Sequence, residues 1–127
     1  MKDNLRILVG MDGSNHSDRA LLEAATLAKK FSGSVKVITV YGRGMEKKAK
    51  AILEHAKFYV ENVVEYELSA ILGSNPARAL QNTAEHENFD LIVVGSRGLG
   101  SKASMLLGSV SRKVAANADC NVLVVKK

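Results

Sequence analysis

Leu91-Ile92-Val93-Val94-Gly95-Ser96-Arg97-Gly98, followed after nine further residues by Gly108-Ser109, is the stretch on which the reading of this chain turns. Four apolar residues in a row suit a strand buried on both faces, as in a parallel sheet. Glycines follow it, and a short helical run carrying Val110 and Val114 opens at Ser109. The order is therefore strand, glycine-rich loop, helix start. Glycine lets backbone come close to a ligand and tolerates positive φ. The N–H groups at a helix start, with the positive end of its dipole, attract anions. Together these describe a cradle for phosphates. The bland alternative is a surface loop with incidental glycines.

Two standard phosphate motifs nearly match and are rejected. The P-loop needs Gly, four residues, then Gly-Lys-Ser/Thr. Gly95 and Gly100 have that spacing, but Ser101-Lys102 stand in the wrong order. The dinucleotide fingerprint G-x-G-x-x-G/A is met by Gly98, Gly100 and Ala103. That motif opens a Rossmann domain, and only one helix and one strand remain downstream, with no room for a second βαβ unit.

Working outward, the same grammar repeats. Leu5-Arg6-Ile7-Leu8-Val9 reads as a buried parallel strand and runs into the turn Gly10-Met11-Asp12-Gly13-Ser14. A helix is expected from near Ser17-Asp18, with Leu21, Ala24, Ala25, Ala28 and Phe31 on its inner stripe and Gly33 as its stop. Val35 to Val40 is β-branched and predicts a second strand. Met45, Ala49, Ile52, Leu53, Ala56 and Val60 form a second helical stripe that reads as core. Glu46→Lys50 and Lys57→Glu61 are expected as pairs on its outer face. Glu65 to Leu72 gives a third strand. Asn75-Pro76 enters a third helix, cap then first position, running to about Asn88 with Ala77, Leu80 and Ala84 inward. Asn121 to Val125 is the last strand.

Strands alternating with helices imply a parallel sheet covered on both faces, and right-handed crossovers leave a few doubly wound orders. In such sheets ligands bind beyond the carboxyl ends of the strands, where the winding reverses. That places the turn at Met11 and Asp12 beside the loop from Gly95 onward.

Composition bounds the rest. The 127 residues suffice for one domain spanning 1–127, with 46% hydrophobic and 24% charged residues. No apolar run approaches a membrane span, and Met1-Lys2-Asp3-Asn4 lacks a signal-peptide core, so a cytoplasmic location and no membrane partner are expected. The single cysteine, Cys120, suits a reducing compartment. The net charge is +5, but the lysines are spread and aromatics make up only 5%. Few rings are available for base stacking, so no nucleic-acid partner is expected.

Arg6-Ile7-Leu8-Val9 with Asp12-Gly13-Ser14, Asp90 to Gly98, Leu107-Gly108-Ser109-Val110-Ser111 and Val122-Leu123-Val124-Val125 together resemble a universal stress protein domain. The resemblance covers the whole chain, and the Gly-x2-Gly-x9-Gly-Ser spacing is similar to that family's ATP-binding motif. It implies the strand order 3-2-1-4-5, a homodimer, and ATP (or AMP or ADP) between the first and fourth strand ends. Mg²⁺ would be held mainly through the phosphates. The roles it implies put Asp12 and backbone near Met11 and Val40 on the adenosine. Gly95, Arg97, Gly98, Gly108, Ser109, Val110 and Ser111 would surround the phosphates. Two departures stand out. Asn121 occupies a position where proline is common, and the Tyr41 to Met45 connection is short, which puts an adenine lid from this region in doubt.

Other chemistry is thin. His16, His55 and His86 are scattered, and no Cys/His cluster has zinc-ligand spacing. Asp12 stands out as a carboxylate at a strand's carboxyl end; its alternative role is to cap the next helix. Ser109 reads as a hydroxyl donor and helix cap. With the implied order, the apolar last strand lies on a sheet edge, where antiparallel pairing with a second copy would cover it. No Glu, Gln or His occurs from Gly95 to Ser111, so ATP hydrolysis is expected to be slow or absent. The reading is a nucleotide-dependent sensor or switch in stress response, with an unknown regulatory protein partner. Its rivals are a slow ATPase or ATP-using transferase, and a dimerisation module without nucleotide.

Overall fold

β1 (Arg6–Gly10) occupies the middle of a parallel sheet and feeds two cores at once. In the computed structural model, which describes residues 4–97 and 108–126, β1 is followed by α1 (Asn15–Lys30), β2 (Ser34–Tyr41), α2 (Glu46–Val60) and β3 (Glu65–Leu72). Then come α3 (Pro76–His86), β4 (Leu91–Gly95), α4 (Ser109–Asn117) and β5 (Asn121–Val125). The sheet order is β3-β2-β1-β4-β5 and every pairing is parallel. The expected doubly wound five-stranded sheet, order 3-2-1-4-5 with helices on both faces, is what forms. Among the described residues no helix is long and apolar enough to cross a membrane.

The unbroken apolar runs have a simple cause. Successive strand residues point to opposite faces. Ile7 and Val9 of β1 and Leu91 and Val93 of β4 join the core under α1 and α2. Leu8, Ile92 and Val94 join the core under α3 and α4. Ala20, Leu21, Ala24, Ala25 and Ala28 bring α1 down close to the sheet. Ala77, Leu80 and Ala84 do the same for α3, as their helical spacing predicts. Chain progression reverses at β1, with β2 on one side and β4 on the other.

The structure corrects several local expectations. α1 starts at Asn15, earlier than expected, because Ser14 caps it. It ends at Lys30, and Ser32, at φ 52°, takes the left-handed turn expected of Gly33. Gly33 is needed for another reason: a Cβ there would collide with the Leu5 carbonyl. α3 stops at His86, short of Asn88. Met45 lies outside the core, 44% exposed, as the N-cap of α2. Lys57 takes Glu54 as its ion-pair partner, at 3.0 Å, in place of Glu61. Cys120 packs against the α3–α4 core, and burial pushes its thiol above the usual 9.0.

Candidate functional site

A cavity of about 280 Å³ opens at the carboxyl edge of the sheet, where the winding reverses. β1 contributes Gly10 and the residues beyond it, Met11 and Asp12. Ile38 and Val40 come from β2, and Pro76 and Leu80 from α3. Val94, Gly95 and Arg97 enter from β4 and its end, and Gly108, Ser109, Val110 and Ser111 from the start of α4. The candidates Met11, Asp12, Val40, Gly95, Arg97, Gly108, Ser109, Val110 and Ser111 thus all line one space. Gly98, and the neighbouring Lys102, lie outside the described residues.

At the β2 flank, the backbone is laid out by strand alternation. The Tyr41 carbonyl accepts from the Gly73 N–H at 2.9 Å, so it faces β3. Val40 must therefore turn its N–H and C=O toward β1. The β1 ladder ends at Gly10, opposite Ile38, and the Met11 N–H takes the Ile38 carbonyl at 2.9 Å. No strand residue of β1 stands opposite Val40. Among the described residues, this leaves an adjacent donor and acceptor on one residue at the cavity's edge.

In the middle, Asp12 organises the turn into α1. Its Oδ1 accepts from the Ser14 N–H at 2.9 Å, and its own N–H points at Ser17 Oγ, 3.4 Å away. The cap of α1 is Ser14, whose Oγ accepts from the Ser17 N–H at 3.2 Å. Asp12 is therefore not the helix cap; it holds the residue that is.

At the α4 flank the helix start is open. Gly108 is the N-cap, at φ −73° and ψ 167°, and among the described residues no side chain caps the helix. Ser109 is the first helical residue, so its expected role as a cap is not met. The helical ladder begins with Arg112 N–H to Gly108 C=O at 3.1 Å. The N–H groups of Ser109, Val110 and Ser111 precede it and point outward along the axis. No acidic residue occupies the first turn. The buried Ser111 hydroxyl reaches the carbonyls of Ser96 at 3.1 Å and Gly108 at 3.0 Å. A hydroxyl has one proton, and these carbonyls use it. What Ser111 presents to a ligand is its backbone N–H.

Gly95 has a packing cause that its position in the glycine motif hides. A Cβ there would sit 2.7 Å from the carbonyl carbon and oxygen of His16. The end of β4 is pressed against the first turn of α1, and only glycine allows that approach. His16 itself does not line the cavity, and its Nδ1 is buried without a hydrogen-bond partner among the described residues. His55 Nε2 lies 3.1 Å from Asp18 Oδ2, and His86 Nδ1 lies 2.8 Å from the Asn82 carbonyl. Among the described residues no group of three or more His, Cys, Asp or Glu is placed to hold a metal ion.

Sequence reasoning missed Gly10, Ser17, Ile38, Pro76, Leu80 and Val94 as lining residues. The signal was present: α3 starts at the same sheet edge, and Pro76 and Leu80 are four apart on one helix face.

Known proteins share this fold. The model of the universal stress protein family matches residues 4–126. A universal stress protein of Thermus aquaticus is 38% identical over 133 residues, covering 94% of this chain and 97% of the relative. A solved universal stress protein in complex with cAMP is 32% identical, with a TM-score of 0.83 over 98% of each chain. One from Archaeoglobus fulgidus in complex with dAMP is 25% identical, with a TM-score of 0.80 over 96% of this chain and 98% of that one.

Proposed function

This chain belongs to the universal stress protein family, and on that premise we propose that it binds an adenine nucleotide in the carboxyl-edge cavity. ATP is the proposed ligand, with AMP and ADP as its close alternatives. The observation that carries the reading is the pairing of two flanks on one cavity: the Val40 backbone pair and the open start of α4. Adenine carries an acceptor, N1, beside a donor, its amino group, and so matches the Val40 N–H and C=O. Guanine reverses both. The likeness to relatives solved with cAMP and dAMP supports an adenine ligand.

In this reading Asp12 accepts from a ribose hydroxyl. Met11, Ile38 and Leu80 give the base an apolar bed. The N–H groups of Ser109, Val110 and Ser111, with Gly95, Arg97, Gly98 and Gly108 around them, hold the phosphates. Mg²⁺ rides on the phosphates, which supply its oxygen ligands. Asp12 is the one carboxylate among the described lining residues, at the nucleoside flank. The site therefore holds ATP without a positioned base, and binding ground and transition states alike gives no acceleration. The protein acts as a single-domain cytoplasmic sensor or switch in stress response. It forms a homodimer through the β5 edge and signals to a regulatory protein, without nucleic-acid or membrane contacts.

Calorimetry tests this. ATP should bind, with GTP at least tenfold weaker, and Asp12→Ala should lose about 1.5–3 kcal/mol of affinity while the fold survives. Equal binding of GTP and ATP, or no binding of ATP, AMP or cAMP by folded protein, would sink the proposal.

A further inference from the structure

Ser96, the residue just after β4, is 4% exposed and bonded in two directions. Its N–H donates to the carbonyl of Val125, the last residue of β5, at 2.9 Å. Its carbonyl accepts from the Gly108 N–H and from Ser111 Oγ. One buried residue is thus tied both to the end of the edge strand and to the residues that bracket the first turn of α4.

We propose that Ser96 and Ser111 join the start of α4 and the end of β5 into one unit that opens and closes together. Occupancy of the cavity then firms the edge strand, and a partner seated along β5 tightens the ligand. The inference rests on the nucleotide reading above and adds to it the route by which the bound state reaches the surface.

The physical reason is that neither part is secure alone. α4 has nine residues, too few for a stable isolated helix. Its first turn is fastened to the sheet by Gly108 and by the Ser111 hydroxyl. β5 has five residues, pairs with β4 on one side, and is half-buried along Val122–Val125. Short edge segments of this kind open locally at low free-energy cost. The last bond of β5 and the fastening of α4 meet on Ser96, so releasing Ser96 releases both. A ligand that binds only the closed form suppresses that opening by the factor 1 + [L]/Kd. The suppression appears at β5 although β5 does not line the cavity. Reciprocity then requires that whatever holds β5 closed raises nucleotide affinity by the same factor.

Residue-resolved hydrogen exchange, with and without ATP, tests the coupling. It is run at a protein concentration where light scattering gives the same mass in both states. The Val125 carbonyl faces Ser96, so strand alternation turns the N–H groups of Leu123 and Val125 toward β4 and those of Val122 and Val124 outward. At ATP about 100 times its dissociation constant, exchange at Leu123 and Val125 should slow by up to about 100-fold, in step with Arg112. Ser111→Ala removes the hydroxyl that ties α4 to Ser96; with ATP reset to about 100 times the variant's own dissociation constant, the slowing at Leu123 and Val125 should fall below about threefold. ATP that slows Arg112 but leaves Leu123 and Val125 unchanged in the wild type overturns the coupling alone. So does full β5 protection in Ser111→Ala. ATP that slows neither region overturns the nucleotide reading and this inference with it. If Ser111→Ala does not fold, the wild-type comparison decides.

Discussion

α1 and α4 both begin at the carboxyl edge of the sheet and both face the same cavity, yet their first turns are finished in opposite ways. α1 is closed by its own chain: Ser14 caps it, Asp12 holds Ser14, and Asp18 places a negative charge in the first turn. α4 begins at a glycine with no cap and no acid. A capping side chain contributes about 1 kcal/mol over alanine and a few tenths over glycine, and α4 forgoes the latter. The backbone at Gly108 is extended, which any capping residue could adopt. The difference separates roles. α1 is scaffold at this edge, and among the described residues no side chain takes the first N–H groups of α4.

The largest expected effect breaks the scaffold half of that comparison. Gly95→Ala drives a methyl group into the His16 carbonyl on the first turn of α1. Overpacking against backbone should lower stability by about 3 kcal/mol, measured by urea unfolding without ligand. If Gly95→Ala instead unfolds at the wild-type midpoint and loses only ATP, Gly95 serves the ligand and α1 is not what dictates it.

The next change makes α4 resemble α1. Gly108→Asp supplies a cap and a charge at once. The ligand-free protein should gain a few tenths of a kcal/mol, since glycine is itself a tolerable cap. ATP affinity should fall at least tenfold, about 1.4 kcal/mol, because a carboxylate takes the N–H groups and repels the phosphates. Opposite signs in the two measurements are the point. A loss of stability and affinity together would mean that Gly108 is required for packing. The converse change, Ser14→Ala, should cost about 1 kcal/mol in thermal or urea unfolding and leave ATP affinity within about threefold. An affinity loss as large as that of Gly108→Asp would erase the distinction between the two ends.

The chain order and the two cores were legible because paired apolar residues along Ile7-Leu8-Val9 and Leu91 to Val94 force coverage on both faces. The cavity's membership was legible for the same reason: topology brings Asp12 and Gly108 together once the strands are placed. What could not be read were decisions between competing local bonds. Asp12, Ser14, Asn15 and Ser17 can all cap a helix, and only the turn geometry selects Ser14. The packing role of Gly95 did not show, because the crossing of α1 over it is a long-range event. The commitment of the Ser111 hydroxyl was hidden too, because its sequence position does not reveal that the Ser96 carbonyl, fifteen residues earlier, accepts from it. Lys57 chose Glu54 over Glu61 between two carboxylates of similar helical reach.

The smallest effect serves as a control on both helix ends, because it touches neither. Lys36 on β2 is 11% exposed at its side chain and sits 2.9 Å from Glu87 and 3.4 Å from Glu67 on β3. Burial pulls its ammonium down, but the Glu87 hydrogen bond and the charges of Glu67 and Glu87 outweigh it, and the net shift is upward from 10.5. A group whose folded value lies above its unfolded one contributes stability in full below the unfolded value. That contribution is lost as pH rises through the folded value. The stability gap between wild type and Lys36→Met should therefore be flat from pH 7 to about 10 and should shrink above 10.5. It should stay below about 1 kcal/mol, because both carboxylates are largely solvated. ATP affinity at pH 7.5 should not change, since Lys36 does not line the cavity. A gap that widens above pH 10.5 would contradict the sign. An affinity change in Lys36→Met would mean that charge remote from the two helix starts governs the site, and the contrast between α1 and α4 would lose its explanatory force.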